Sequence, residues 1–328
     1  MKNLIFVATI FMLLMSCEKD DNDFSDGIDF KQEMRDFVIG ISNSAKSINP
    51  GFIIIPQNGI ELVTISGEEN AMPDTAYLNA IDGNGQEDLL YGYDNDNEAT
   101  PTNETEYLLS FLEISMNSGN TILVTDYCST PSKIDNSYTQ NSNKKFISFA
   151  ADQRELNNIP NYPSPIFRNN NDNINSLEEV KNFLYLINPE KFSTKAIFVD
   201  AVTSTNYDLL IMDLFFIDGT EFSLAEINQL KNKFNGGKRL VICYLSVGEA
   251  ENYRYYWQES WNINNPSWLG DENPEWKENF KVKFWQNEWQ DIIYGNENSY
   301  LKKIINSGFD GVYLDIIDAF EYYETASR

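Results

Sequence analysis

Short apolar runs recur along the chain, each ending in polar or acidic residues, and they constrain the fold more than any other feature. FIII at 52–55 is continuous and β-branched, the pattern of a strand buried on both faces. TILVT at 121–125, LLIM at 209–212, LVICYL at 240–245 and GVYL at 311–314 read as further strands, and 183–187 as another. Helical stretches lie between them. Phe30, Met34, Phe37, Val38, Ile41, Ala45 and Ile48 recur at helical spacing, closed by Asn49-Pro50-Gly51. Helices are also expected at 68–80, 105–118 and 300–305, and at 224–234 behind a cap formed by Ser223 and Glu226. Ser176 and Glu179 form a second capping box. Residues 195–202 fit helix or strand, 145–151 suits an extra strand, and 152–172 reads as a Pro- and Asn-rich loop.

This alternation defines an α/β chain. Counting the weaker runs around Leu89 and Val282 gives eight strands, the pattern of a single (β/α)8 TIM-like barrel over residues 28–328. The last strand is expected to lack a following helix, and the first helix lacks a preceding strand. Joined, they complete one βα unit, so the chain reads as a barrel cut open after one strand. Ahead of it, residues 1–17 read as a lipoprotein signal peptide. Lys2, an apolar run at 4–15 and LMSC resemble a bacterial lipobox, with Cys17 acylated and anchoring the protein to the membrane. That run is short for a comfortable membrane span. Residues 18–27 form a flexible acidic tether resembling that of surface-exported lipoproteins. The expectation is an outer-membrane lipoprotein facing the cell surface, with the periplasmic side as the alternative.

None of the 328 residues is histidine. That removes Ser-His-Asp and Cys-His nucleophile systems, His-ligated zinc and His general bases. Cys128 and Cys243 close apolar runs and read as buried hydrophobes. No metal or cofactor is expected. A formal charge of −26 argues against nucleic acid, whose phosphates require a basic surface. An acidic surface is also simply a soluble one.

Acid–base chemistry then falls to carboxylates. Asp126, Asp213, Glu249, Asp315 and Asp318 stand at strand ends, with Glu87 and Asp88 beside the Leu89 run. In a parallel barrel such residues converge on one rim. Clustered carboxylates raise one another's pKa, which suits glycosidic cleavage by an acid and a nucleophile or base. A hydrogen-bond network at the barrel mouth, or a site of hard oxygen ligands, is the competing reading. All six tryptophans fall within 253–289. Flat aromatic faces stack on sugars, yet most of these are expected to build the segment's own core, leaving one or two, such as Trp257, for ligand.

YDLLIMDLFF (207–216), VICYLSVGEAENYRYYW (241–257), GFDGVYLDIIDAFEYY (308–323), FIIIPQNG (52–59) and IDGNGQEDLLYG (81–92) together resemble the endo-α-1,4-polygalactosaminidases of glycoside hydrolase family 114. The resemblance implies a TIM-like barrel and hydrolysis of galactosaminide polysaccharide. Its paired acids match Asp315 and Glu87 as the catalytic residues. Asp213, Glu249, Asp318, Asn58, Asp126, Asp88 and Trp257 would then line substrate, and an acidic rim suits a cationic amino sugar. In the family the PQNG and QEDLLYG blocks follow GVYLD, whereas here they precede it. The sequence therefore looks circularly permuted, with its termini after the family's fifth strand. A non-catalytic carbohydrate-binding surface lipoprotein is the alternative. A metal-dependent deacetylase is disfavoured by the missing histidines.

Overall fold

A computed structural model describes residues 27–326. The expected signal peptide, the lipidated Cys17 and the tether up to residue 26 lie outside the described residues. Strands are β1 (Ile53–Pro56), β2 (Gly83–Glu87), β3 (Thr121–Tyr127), β4 (Ile147–Ala151), β5 (Phe183–Tyr185), β6 (Leu209–Met212), β7 (Leu240–Ser246), β8 (Glu249–Glu251), β9 (Leu269–Glu272), β10 (Asn279–Val282) and β11 (Gly311–Asp315). Helices are α1 (Phe30–Ile48), α2 (Thr75–Ala80), α3 (Thr102–Asn117), α4 (Pro131–Asn143), α5 (Lys195–Thr203), α6 (Leu224–Leu230), α7 (Asn287–Gln290), α8 (Tyr300–Asn306) and α9 (Ala319–Ala326).

The fold is α/β, with two parallel sheets ordered β1-β11-β7-β6-β5 and β2-β3-β4. The sheets meet beside β1, where Gln57 bridges to Gly85 and the amide of Asp82 donates to Ile54 O at 2.9 Å. At the opposite edges β4 and β5 are neighbours, with the Phe149 and Phe183 rings 5.7 Å apart, but no ladder joins them among the described residues. The register aligns Ile55, Tyr313 and Tyr244 across β1, β11 and β7. Side chains alternate across each strand, so Gln57, Tyr313, Asp315 and Tyr244 share one face. The opposite faces bury Ile54, Val312 and Cys243.

α1 forms as its spacing predicts. Asp29 caps it by accepting from the amide of Gln32, and Phe30, Met34, Phe37, Val38, Ile41 and Ala45 are buried. Its start meets the chain's end, where the Phe30 and Tyr323 rings lie 5.5 Å apart. A helix does follow the last strand, contrary to the sequence expectation: α9 turns directly out of β11. Residues 195–202 resolve as helix, and 145–151 contributes a full parallel strand, β4.

Both weak strands were misplaced. The strand near Leu89 is GNGQE, β2, paired with β3 from Gly83↔Thr121 to Glu87↔Thr125. The run near Val282 belongs to an antiparallel excursion, β8-β10-β9, inserted after β7. Ser223 and Glu226 do form a reciprocal capping box. Ser176 makes no side-chain cap, because Glu179 accepts from the amide of Asn175 and the turn after it is a single 3-10 element.

Candidate functional site

Glu87 ends β2 and Asp315 ends β11, both half-buried. The Gln57 side chain, just beyond β1, joins them. Its Nε2 donates to Glu87 Oε2 at 2.8 Å and to Asp315 Oδ1 at 3.0 Å, while its Oε1 accepts from Tyr185 Oη at 2.8 Å. Two hydrogen bonds from one nitrogen hold those carboxylate oxygens within about 6 Å of each other. Glu87 also accepts from Asn58 Nδ2 at 3.0 Å and from the Tyr127 hydroxyl, and its amide donates to Asn58 Oδ1 at 3.1 Å. Asp315 accepts from Tyr244 Oη at 2.6 Å. Every one of these donors is neutral, and no Lys or Arg pairs with either acid among the described residues.

The floor beneath the pair depends on a glycine. A Cβ on Gly85 would fall 1.9 Å from Tyr313 Oη, so only glycine leaves room for that ring. Tyr313 is fully buried, stacks edge-on against Tyr185 at 5.2 Å and points its hydroxyl beneath the two carboxylates without a hydrogen-bond partner.

Burial without a cation makes ionisation costly here. Burial, then repulsion from Asp315, raises the pKa of Glu87, and the Tyr127 and Asn58 hydrogen bonds oppose the rise. Asp315 is pushed up to about 6, chiefly by burial, with the Tyr244 hydrogen bond opposing and Asp318 adding repulsion. Asp318, half-buried one turn further on, is pushed up to about 7 by burial and by the charges of Glu321 and Glu87. The acidic character continues outward. A furrow of about 690 Å³ beside α9 is lined by Glu61, Glu68, Glu69, Tyr107, Glu321 and Lys31, among others.

The remaining sequence candidates have other partners. Asp126 is fully buried on the outer face of β3, where it accepts from the amides of Leu90 and Tyr91, from Ser137 and from Asn141. It fastens α4 to the strand, on the face turned away from Glu87. Asp213 leaves β6 as expected, but Arg254 from the excursion takes both its oxygens at 2.9 and 2.7 Å and also binds Glu251. Glu249, 2% exposed, accepts from Lys281 at 2.7 Å and Asn273 at 2.8 Å within the excursion. Asp88 is held by Arg154 at 2.9 Å. Trp257 packs against Phe280 at 4.9 Å and Trp261 at 5.2 Å, in a chain of rings running through Trp268 to the buried Trp289. Only Trp276 among the six is largely exposed. Cys128 and Cys243 are buried and unpaired, as read from the sequence.

Sequence reasoning missed Gln57, Tyr127, Tyr185 and Tyr244, which surround the pair, and Arg254 and Arg154, which occupy the other acids. Gln57 was within reach, since it directly follows an apolar run. The others announce themselves only through tertiary placement.

The arrangement defines a class: a parallel α/β protein whose strand-exit carboxylates face each other among neutral donors. Comparison with known proteins gives a family match over part of the chain. Residues 180–327 match the model of glycoside-hydrolase family GH114, so the segment from β5 to α9 is related to that family. Asp315 lies within the match and Glu87 outside it. An uncharacterized protein of Methanocaldococcus jannaschii is 48% identical over 128 residues, covering 38% of this chain and 34% of that protein. An uncharacterized protein of Thermotoga maritima is 40% identical over 122 residues, or 37% of this chain and 36% of that one. A third, from Deinococcus radiodurans, is 39% identical over 126 residues, 38% of each. The match thus spans little more than a third of the length of these curated relatives.

Proposed function

We propose that the protein is a glycoside hydrolase acting on an amino-sugar polysaccharide of the galactosaminide type, with Glu87 and Asp315 as its carboxylate pair. The observation that carries this reading is the shared Gln57 amide, which holds two cation-free carboxylates side by side at strand exits. In such a pair one acid protonates the glycosidic oxygen as the bond to the anomeric carbon breaks, and the other supplies the attacking group. Oxygens held within about 6 Å suit direct attack by the second carboxylate better than attack through an interposed water. The bond would then break by double displacement. Attack gives a glycosyl ester, water cleaves that ester, and the first acid receives the water's proton. The product would retain its anomeric configuration.

Asp318, Asn58 and the acidic furrow would meet the substrate, and their charge suits a polymer with free amino groups. Raising salt should then raise KM, and a salt-independent KM would remove the electrostatic part of the reading.

We read the two sheets as one closed barrel, permuted relative to the family. Adjacency at both sheet edges supports closure. The contact between Phe30 and Tyr323 places the described chain ends side by side, as a permuted barrel requires, and the family match begins only at β5. We also propose lipid anchoring through Cys17 and display at the cell surface, on the signal-like sequence. An alkyne fatty acid should label the wild type and not Cys17→Ala, and equal labelling would end that proposal.

The test of activity is reducing-end release from a panel of amino-sugar polymers, with NMR of the first-formed anomer. Turnover with a retained anomer is expected, and Glu87→Gln and Asp315→Asn should each lose about 10³-fold or more. Tight binding without release, indifferent to both substitutions, would identify a carbohydrate-binding lipoprotein instead.

A further inference from the structure

Arg154 has no part in the carboxylate pair, yet two of its contacts reach Glu87, one through the Tyr127 ring and one through the adjacent Asp88. It leaves the chain three residues after β4. Its guanidinium carbon sits 3.9 Å above the centre of the Tyr127 ring, and the Tyr127 hydroxyl donates to Glu87. The same group forks onto Asp88, the residue following Glu87, with Nη2 to Oδ1 at 2.9 Å and Nη1 to Oδ2 at 3.2 Å. Nη2 also donates to the carbonyl of Gly92 at 2.9 Å, and Nε to Asp96 at 2.7 Å.

The backbone is shaped around this contact. Asp88 has a φ of 58°, so the chain reverses immediately after Glu87 and sends successive carboxylates in different directions. Gly92 has a φ of +119°, and a Cβ there would lie 2.0 Å from Asp88 Oδ1 and 2.9 Å from Arg154 Nη2. Only glycine admits the fork.

From these contacts we infer that Arg154 is a positioning residue for Glu87, acting through the Tyr127 ring and the Asp88 carboxylate. The inference rests on Glu87 being one of the reacting acids. A cation over the face of a phenol draws electron density from the ring and strengthens its hydroxyl as a donor. The planar fork fixes the residue next to Glu87, and a point charge could not reproduce either contact. Arg154 also acts as a counterweight. Burial and Asp315 drive Glu87 toward its protonated form, while Tyr127 and Arg154 favour its charged form. Losing Arg154 would leave Asp88 buried without its cation and push its carboxyl, already up to about 6 through burial, further toward the protonated form.

The decisive experiment is a carbon-13 titration of the Glu87 carboxyl in the full chain, assigned by the signal that vanishes in Glu87→Gln. Arg154→Met should move its midpoint upward by about half to one pH unit, and Tyr127→Phe should also move it upward. The double variant should shift less than the two separate effects together, because both act on one hydrogen bond. Arg154→Lys, which keeps the charge but loses fork and stacking, should fall between wild type and Arg154→Met, and it carries the test should Arg154→Met fail to fold. An unmoved midpoint in a folded Arg154 variant, or fully additive shifts, would overturn the inference. Where a polymer is cleaved, the pH limb of kcat/KM governed by Glu87 should track the titration. Absence of turnover in the wild type would count against the glycosidase reading, and the titration would still decide the role of Arg154.

Discussion

Asp213 and Asp315 leave inward-facing parallel strands at comparable points, yet they face opposite surroundings. Asp213 gives both oxygens to Arg254, which also grips Glu251 and lies over the rings of Tyr253, Phe215 and Tyr300. Asp315 accepts from the Gln57 amide and the Tyr244 hydroxyl, with support from the Ile316 backbone and with Asp318, Glu251 and Glu87 as its charged neighbours. On the Asp213 side a buried cation offsets buried anions, and the product is a fastening that seats the excursion on the rim. On the Asp315 side no Lys or Arg pairs directly with Glu87 or Asp315 among the described residues, and burial raises both acids. One residue type at one kind of position therefore serves two purposes, and the partner decides which.

The largest stability effect should come from removing the cation. Arg254→Met leaves Asp213 and Glu251 buried and unpaired, which should cost about 3–5 kcal/mol in urea unfolding. A loss no larger than that of an exposed ion pair would mean that the two sides do not differ as described.

Asp318→Asn should sharpen the contrast through pH. The folded acid titrates near 7, against an ordinary value of 3.8. A raised acid contributes stability that is present below its unfolded pKa and lost as pH rises through its folded one. Relative to Asp318→Asn, the wild type should lose about 2 kcal/mol between pH 4 and pH 8, after allowance for the partial exposure of the side chain. Parallel stability curves for the two proteins would show that Asp318 is not strained by its neighbours.

The smallest effect is steric. Gly85→Ala would drive a methyl group into Tyr313 and should cost about 1–2 kcal/mol, with a further loss of turnover as the floor beneath the pair shifts. An alanine variant with wild-type stability and rate would show that the floor yields freely.

The same contrast explains how much could be read from the sequence. β1, β6, β7 and β11 announce themselves because their runs are apolar on both faces. β2 does not: Gly83 and Gly85 leave room for neighbours, Tyr313 fills the space over Gly85, and GNGQE offers no apolar residue to count. α4, PSKIDNSYTQNSN, has weak helical propensity and gains its place from Ile134, Ser137, Tyr138 and Asn141 packing toward β3 and β4. Conversely, the apolar residues near Val282 suit an excursion's own core as well as a barrel strand. Among the acids, position along a strand was legible but partner was not. Nothing local to Asp213 distinguishes it from Asp315, because Arg254 arrives from a segment some forty residues away. Asp126 shows the same limit: its place at a strand end was legible, but not the face it takes. It precedes Tyr127, and strand alternation sends one of the two outward.

The most direct test measures reducing-end release and the urea midpoint for Asp315→Asn and Asp213→Asn side by side, under conditions where both are folded. The account predicts that Asp315→Asn loses turnover while keeping or gaining stability, and that Asp213→Asn loses stability while retaining turnover. The reverse pattern, with Asp213 essential for turnover and Asp315 needed only for folding, would contradict it.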